Sequence, residues 1–589
     1  MMRRFLPALL AALLFAAGCG REAAAPRNEV HLAAGGRVRT LDPALADDLA
    51  SRNMTAAFYD TLLEYEYPVK PYRLAPSMLA EMPQCDETGT IYRFRLRDDL
   101  RFPADPCFGG RKRRVTAADV VYSWKRLADA RLHSPAYWMV RGKIAGLDDF
   151  NRQSLEAPAD LYDRPVSGLT ALDEVTLEVR LTAPDPRFLA ILALPNTAVV
   201  PREAVEYYGE SFAEHPVGSG PFRLREWIRE YRLTLDRNPD YRPQRFPAAE
   251  TPADRERDLP LADTVVCSQI RQAFSGWLLF LQGELDASVL DKDNLDFVAG
   301  SGELSPKLAA RGVRLLRAPE FEMRYIGFNC ADPKLRDPKL RRALAAAFDI
   351  DALQRHLGGL MIPAAGPLPE GVAGFDPALA NPWQCNDVER AKQLLAEAGY
   401  PGGIDPETGE ALTFTFDQGN TTSAQRQLGE LFASFMERIG VRIVPVLNST
   451  PRFVQKIRQG KVQLFRYSWV GDYPDAENFL QLFYSGNIGG CNRAAFRDAA
   501  FDRMYEAVAR MPDSPERTER CREMVRLLVE AEPWIFEGVP ITYQLTYDWL
   551  ENYHPHDFSF CRWKYLSVRA AERAVRRARF RPLSFSDLR

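Results

Sequence analysis

Apolar and polar positions follow two different periods along this chain. Strict alternation over Tyr92–Leu96, and again over Val175–Leu181, predicts strands with one buried face. Helical spacing over Ala50–Leu63 and Val388–Ala398 predicts amphipathic helices, and Gly399 is suited to end the second of them. Strands and helices are therefore mixed through the whole sequence, without a regular βαβ rhythm and without a short internal repeat.

The length and composition indicate a globular protein of several domains. The chain has 589 residues, 46% of them hydrophobic, which is more than one ordinary core accommodates, so we expect two or three packed domains. A net charge of −3 gives no electrostatic case for nucleic-acid binding. Two basic segments, 111–114 and 569–581, are predicted to be solvated surface, and the second is predicted to be poorly ordered.

The N-terminus has the pattern of an export signal. Two basic residues, Arg3 and Arg4, precede an apolar run over Phe5–Ala17 that is too short to span a bilayer. Small residues and then Cys19 follow, as in a bacterial lipobox. We therefore interpret residues 1–18 as a signal peptide and Cys19 as the lipidated first residue of the mature chain, anchored in the periplasm or cell envelope. The alternative is an ordinary secretory signal in which Cys19 has no role.

The remaining cysteines and the histidines form no recognisable metal or cofactor motif. Nine cysteines less Cys19 leave an even number, which is compatible with disulfides in an exported chain, but their pairing cannot be read from the sequence. None are spaced as CxxC. The close pair His554 and His556 is interpreted as a surface turn, so no metal site and no cofactor is predicted.

A series of short segments carries a resemblance to a known family. The segments are Leu41–Pro43, Tyr59–Leu63, Leu74–Ala80, Tyr92–Phe102, Val115–Trp124, Pro216–Phe222, Arg237–Tyr241, Tyr325–Asn329, Leu340–Leu344 and Phe348–Asp349. Each segment alone is a weak signal. In this order, from residue 28 to about 566, they resemble the oligopeptide and dipeptide group of bacterial extracellular solute-binding proteins, family 5.

The resemblance implies an α/β fold of two lobes with the ligand cleft between them. It is the fold of the large, type II periplasmic binding proteins, with an extra subdomain on the first lobe. By this resemblance the first lobe comprises 28–72, 195–318 and 541–589, the subdomain 73–194, and the second lobe 319–540. The chain would cross between the lobes twice, and the lobes would close on the ligand by a hinge motion.

Residues 466–475 resemble the segment that clamps the ligand in oligopeptide binders. In that family the aspartate of a Trp-x-x-Asp-Tyr motif holds the peptide's ammonium group, and the matching residue here is Asp472. The arginine six residues earlier meets the terminal carboxylate, and Arg466 matches it. This pairing suits the chemistry, because an ammonium needs an acceptor-only group and a guanidinium fork matches a carboxylate. The alternative is that Asp472 caps a turn before Pro474 and that Arg466 is structural.

The resemblance also implies three flanking site residues. Tyr467 and Trp469 would flank the cleft, with burial in the core as the alternative for both. Asp47 matches an acidic cleft residue, with simple surface solvation as its alternative. Oligopeptide binders usually have a tryptophan about twenty residues before the aspartate, whereas this chain reads Asn448–Phe453 there. Peptide length and side-chain preference therefore stay open.

Together these observations predict an extracytoplasmic substrate-binding lipoprotein of an ABC importer. It would act as a monomer, capture short peptides and deliver them to permease subunits in the inner membrane, without binding nucleic acid. The alternatives are a non-peptide ligand, such as a nickel chelate, haem or an oligosaccharide, and a scaffold or sensor that does not transport. An exported hydrolase is disfavoured because the sequence has no GxSxG and no HExxH motif, so no enzyme activity is predicted.

Overall fold

The computed structural model describes residues 28–156, 160–270, 272–290, 303–581 and 583, together with 294, 295 and 298. The predicted signal peptide and Cys19 lie outside the described residues. The strands are β1 (Glu29–Ala33), β2 (Leu63–Tyr65), β3 (Leu74–Pro76), β4 (Gln84–Cys85), β5 (Ile91–Arg95), β6 (Arg101–Asp105), β7 (Arg111–Arg114), β8 (Leu169–Ala171), β9 (Thr176–Arg180), β10 (Phe222–Ile228), β11 (Arg232–Arg237), β12 (Thr264–Ser268), β13 (Ala287–Val289), β14 (Val313–Pro319), β15 (Glu322–Phe328), β16 (Met361–Pro363), β17 (Thr413–Gln418), β18 (Arg442–Leu447), β19 (Leu464–Val470), β20 (Trp534–Tyr547), β21 (Leu550–Glu551) and β22 (Ser567–Val568). The α-helices are α1 (Leu49–Phe58), α2 (Ala117–Ala128), α3 (Leu147–Ser154), α4 (Phe188–Ile191), α5 (Arg202–Tyr208), α6 (Pro252–Arg255), α7 (Ala273–Leu281), α8 (Pro306–Ala309), α9 (Pro338–Ala346), α10 (Ile350–His356), α11 (Val388–Glu397), α12 (Ser423–Glu437), α13 (Thr450–Arg458), α14 (Glu477–Leu480), α15 (Ala499–Val508), α16 (Pro515–Ala531) and α17 (Ala570–Ala578).

A four-stranded sheet in the order β1-β12-β11-β10 lies in the region predicted to be the first lobe. β1 runs parallel to β12, and the other pairs are antiparallel. Val30 and Val265 from this sheet are fully buried together with Trp277 of α7 and Trp549 near the C-terminal end. Segments far apart in the sequence therefore share one hydrophobic core.

A second four-stranded sheet, β4-β5-β9-β8, lies within residues 73–194. The strands predicted from alternation over Tyr92–Leu96 and Val175–Leu181 are confirmed as β5 and β9, which pair with each other antiparallel. The basic segment 111–114 forms β7 and is not merely solvated. Its Arg113 lies 2.5 Å from Asp119 and 2.8 Å from Glu203, so local carboxylates neutralise this patch.

An eight-stranded sheet connects the two halves of the protein, which correspond to the predicted first and second lobes, through the long strand β20. The first part of β20 pairs with β15, and its part from Ile541 to Tyr547 pairs with β14. Along the chain, β14 ends at Pro319 and β15 begins at Glu322. The chain thus passes twice between these halves, close to the predicted boundaries 318/319 and 540/541, while the division into lobes stays a prediction.

Helix α1 ends at Phe58, earlier than the predicted Leu63. The backbone becomes extended at Tyr59, and Leu63 begins β2. A glycine-rich turn packs directly on this helix end: the N–H of Gly220 donates to the carbonyl of Phe58 at 2.9 Å. A Cβ atom on Gly220 would lie 2.4 Å from the carbonyl carbon of Phe58, so this close approach requires glycine.

The basic C-terminal segment was predicted to be poorly ordered, and this prediction is wrong for residues 570–578, which form α17. Acidic neighbours account for the difference. The guanidinium of Arg573 lies 3.0 Å from Asp286, and that of Arg577 lies 2.7 Å from Glu284. These contacts hold the helix against the first-lobe core, so its charge is compensated locally and not merely solvated.

The structure answers for the cysteines what the sequence left open, and it corrects the interpretation of His556. The eight cysteines from Cys85 onward all have free thiols. His556 is buried and not on a surface turn, and this burial lowers the pKa of its imidazole to about 4. Within the described residues, no helix is both long and apolar enough to cross a bilayer, and no group of three or more histidine, cysteine or acidic side chains is arranged to hold a metal ion.

Candidate ligand-binding site

One edge of β19 is only partly paired. On one side, β15 pairs with it along its whole length, from Leu464 to Val470. On the other side, β17 pairs with it only at Leu464 and Phe465. Beyond Phe465, no further strand of the described residues pairs with β19 on the β17 side. An unpaired strand edge is a template on which an extended peptide can add as a further strand.

The register of β19 decides which backbone groups face the open side. Just before and just after the strand, Gln463 accepts and Gly471 donates a backbone hydrogen bond of 2.9 Å on the β15 side. In an antiparallel pair, alternate residues point their backbone groups towards the partner strand. The N–H and C=O groups of Arg466, Ser468 and Val470 therefore point towards the open side.

Asp472 lies directly after this edge, with a side chain only 15% exposed. Its Oδ1 lies 3.4 Å from Nη1 of Arg52, which belongs to α1 in the other half of the protein. Burial raises the pKa of Asp472, and the nearby guanidinium of Arg52 partly opposes that shift. A separation of 3.4 Å is longer than the roughly 2.7–2.9 Å of a tight charge-assisted hydrogen bond. The carboxylate therefore keeps capacity for another donor.

Arg466 has an acidic partner from its own half of the protein. Its Nε donates to both carboxylate oxygens of Glu537, at 2.8 and 3.0 Å. Both side chains are nearly excluded from solvent. Nη2 of Arg466 lies 2.7 Å from Oε2 of Glu537, so the same carboxylate also pairs with this end of the guanidinium. This pair is what the structural alternative for Arg466 would require, and the role of Arg466 in ligand binding stays a prediction.

Two of the other predicted site residues belong to β19 itself, and the third precedes α1. Tyr467 and Trp469 are both half-buried against the core, and Nε1 of Trp469 donates to Oδ1 of Asn478 at 2.9 Å. The same Oδ1 accepts the N–H of Asp472 at 3.0 Å, which fixes the turn after β19. Asp47 is exposed in the turn before α1, the helix that carries Arg52.

Sequence reasoning missed Arg52, Glu537 and Arg493. The guanidinium of Arg493 lies 5.6 Å from the ring centre of Tyr467, and its Nε and Nη1 are buried without hydrogen-bond partners. No motif marks these residues, because their contacts join distant parts of the chain: 420 positions separate Arg52 from Asp472. Only the folded structure brings them to β19.

A cavity of about 220 Å³ lies elsewhere, beside the two passages between the halves. Lys70, Phe321, Ile362, Val539 and Asp557 are among its lining residues. Its lining includes none of the predicted site residues, so it is a feature separate from the β19 edge.

The fold and this site define the class of the protein: a two-lobe α/β binding protein with a charged, partly open strand edge where the lobes meet. Residues 74–490 match the bacterial extracellular solute-binding proteins, family 5 (middle region). The chain therefore belongs to this family, as the resemblance of its segments implied.

Curated relatives of similar length support the assignment. The chain is 27% identical over 492 residues to the periplasmic oligopeptide-binding protein OppA of Escherichia coli (strain K12), covering 82% of each chain. It is 25% identical over 537 residues to the glutathione-binding protein GsiB of Escherichia coli O1:K1 / APEC, covering 90% of each.

Solved structures show the same fold. The periplasmic binding protein DppA of Helicobacter pylori, determined with the peptide STSA, matches with a TM-score of 0.72 at 19% identity, covering 92% of this chain and 99% of that one. The Escherichia coli murein tripeptide binding protein MppA matches with a TM-score of 0.71 at 23% identity, with the same coverage.

The relatives and the fold are those of solute-binding proteins, which are not enzymes, in agreement with the prediction from sequence.

Proposed function

We propose that this chain captures short peptides in the cleft between its lobes and holds the terminal ammonium of the peptide at Asp472. The observation that carries the proposal is a largely buried carboxylate at the end of an open strand edge. An ammonium group can donate to Asp472, and the peptide backbone can pair with the outward groups of Ser468 and Val470. Such pairing recognises main chain, so it tolerates many side-chain sequences.

The names of the relatives support a peptide ligand. OppA binds oligopeptides, and GsiB binds glutathione, which is itself a small peptide. In this proposal the peptide runs along β19 from Asp472 towards Arg466, with its carboxylate end near Arg466. Tyr467 and Trp469 flank it, and Asp47 borders the cleft from the first lobe.

The cellular setting is part of the same proposal. Residues 1–18 serve as a signal peptide, Cys19 carries the lipid anchor, and the mature monomer works in the periplasm or cell envelope. It delivers its ligand to the permease subunits of an ABC importer. The lobes divide at 318/319 and 540/541, so closure brings Arg52 of the first lobe onto Asp472 of the second.

Titration calorimetry on the chain purified from the cell envelope tests this proposal. A tripeptide with a free ammonium should bind, and its N-acetyl form should bind at least about tenfold more weakly, because one charge-assisted hydrogen bond is lost. Asp472→Asn should remove that difference. The control is Asp376→Asn, a substitution at the separate 220 Å³ cavity. This variant should still bind the free tripeptide more tightly than its N-acetyl form. Equal binding of both peptides to the unaltered protein would refute the ammonium site.

A further inference from the structure

Among the residues that the structure describes, none supplies a counter-charge to Arg493. Among the described residues it takes part in no ion pair and no hydrogen bond through its side chain, and its Nε and Nη1 are buried without partners. A buried donor without an acceptor destabilises the folded state, and a charged donor does so more strongly. An acceptor from outside the chain would remove that destabilisation.

The segment that carries Arg493 is held in place by its neighbours. Asn492 is buried, its Nδ2 donates to the carbonyls of Tyr484 and Phe496 at 3.0 Å each, and its Oδ1 accepts the N–H of Phe496. The carbonyl of Ala494 accepts the N–H of Cys330, just after β15, at 2.8 Å. The guanidinium is thus presented to Tyr467 by an ordered backbone.

A further unused donor lies against the same ring. Tyr325 pairs with Tyr467 across β15 and β19, and its ring centre lies 6.4 Å from that of Tyr467. The hydroxyl of Tyr325 is buried and has no hydrogen-bond partner, and the side chain is fully excluded from solvent. Two nitrogens of Arg493 and one hydroxyl of Tyr325 are therefore unused around Tyr467. All three can donate, and a carboxylate only accepts.

We propose that Arg493, held over the ring of Tyr467, binds the terminal carboxylate of the peptide whose ammonium lies at Asp472. This inference rests on the proposed function and changes the residue that receives the carboxylate. Arg466 is already paired with the carboxylate of Glu537, whereas no carboxylate in the described part of the chain pairs with Arg493. The ligand class is thereby narrowed to short peptides with a free C-terminal carboxylate.

The distance along β19 gives the length of that peptide. Asp472 lies five positions after Tyr467, two of them beyond the end of β19, which corresponds to at most about 16 Å of extended chain. An extended tripeptide with a hydrogen bond at each end also spans about 16 Å. We therefore expect tripeptides to bind best, with dipeptides too short to reach both charges.

Calorimetry with trialanine and trialanine amide tests the inference on the chain purified from the cell envelope. The acid should bind at least about tenfold more tightly than the amide, the ratio that one charge-assisted hydrogen bond supports. Arg493→Gln should abolish this ratio, and Arg493→Lys should keep part of it. The matched control is Arg229→Gln, which removes an exposed arginine that lies over the ring of Trp227 and should leave the ratio unchanged.

A second readout separates a binding role from a structural one. Since no described residue pairs with the guanidinium of Arg493, Arg493→Gln should not lower the melting temperature of the ligand-free protein, but it should reduce the stabilisation that trialanine provides. If the wild type binds trialanine and trialanine amide equally well, but Asp472→Asn no longer binds trialanine, the proposed function stands and only the inference about Arg493 is wrong. If Arg493→Gln keeps the ratio, the carboxylate lies elsewhere and the inference is wrong. If no peptide binds at all, the proposed function falls with it.

Discussion

Asp472 can bind an ammonium group because its side chain is largely buried yet incompletely paired. Its pKa is raised by burial, so the ionised form that an ammonium needs is lost at a higher pH than for an exposed aspartate. The partner on the protein side is the guanidinium of Arg52. Ligand affinity and the protonation of Asp472 are therefore linked.

This linkage predicts the pH dependence of binding. As pH falls from 7 towards 4.5, trialanine should bind progressively more weakly, because protons and ammonium compete for one carboxylate. The decline cannot exceed about tenfold per pH unit for one group. Calorimetry across this range measures it, and Asp472→Asn should give a much flatter profile. A wild-type affinity that stays constant down to pH 4.5 would contradict a role for this carboxylate.

The buried pair of Arg466 and Glu537 makes a different prediction. Glu537→Gln leaves a buried cation uncompensated, which should lower the free energy of unfolding by about 3–5 kcal/mol. If Arg466 also reaches a ligand carboxylate, the variant should prefer trialanine over its amide more strongly than the wild type does.

Asp42→Asn is the matched control for this pair. Asp42 is bonded to Arg126 at 2.7 and 3.0 Å, with both side chains 5% exposed, but it lies in the predicted first lobe. Chemical denaturation should show a comparable loss of stability, while calorimetry should show an unchanged preference for acid over amide. An unchanged preference in Glu537→Gln as well would exclude Arg466 from the carboxylate site.

At the element scale, α1 places Arg52 opposite Asp472 only if its end packs closely on the glycine-rich turn. Gly220→Ala would force a methyl group into the backbone of Phe58 and should lower the free energy of unfolding by about 1–3 kcal/mol. Gly276→Ala is the control: its nearest neighbour, Ile270, is 3.9 Å from the added methyl group, and alanine favours helix α7. Denaturant unfolding of both variants checks this, and a neutral Gly220→Ala would contradict the packing.

The elements themselves could largely be predicted from the sequence, because local patterns encode them. Alternation located β5 and β9, and the helical period located α11, which ends one residue before the expected Ala398. The end of α1 was missed because contacts with a turn 160 residues away decide it. The C-terminal helix was missed because its charges are neutralised by Asp286 and Glu284, which lie far away in sequence.

The site could be predicted only in outline for the same reason. The Trp-x-x-Asp-Tyr resemblance pointed to Asp472 and β19, which the fold places at an open edge. The partner of each charged residue depends on the folded chain: Arg52 comes from α1, and Glu537 from a strand 71 residues away. Arg493 had no signal at all, since an unsatisfied buried donor is visible only in three dimensions.

At the scale of the whole molecule, the β19 edge lies where the two predicted lobes meet. The Arg52–Asp472 contact bridges them at 3.4 Å and is partly exposed to solvent, so on its own it contributes at most about 1 kcal/mol to closure. A bound peptide that adds hydrogen bonds to the edge and reaches both halves should close the lobes much more firmly.

Small-angle scattering tests this expectation. Saturating trialanine should reduce the radius of gyration of the wild type, whereas Asp472→Asn at the same peptide concentration should not contract. The melting temperature should rise when the protein contracts. At a peptide concentration one hundred times Kd, the bound peptide should add about 2.7 kcal/mol to the free energy of unfolding. Binding without any contraction would show that the ligand does not lie between the lobes.

The most direct test of the account is native mass spectrometry of the chain purified from the cell envelope without denaturation, followed by identification of whatever it releases. The account predicts a heterogeneous adduct that resolves into short peptides with free termini, and that is absent from Asp472→Asn. A homogeneous non-peptide adduct, or peptides retained in full by Asp472→Asn, would contradict it.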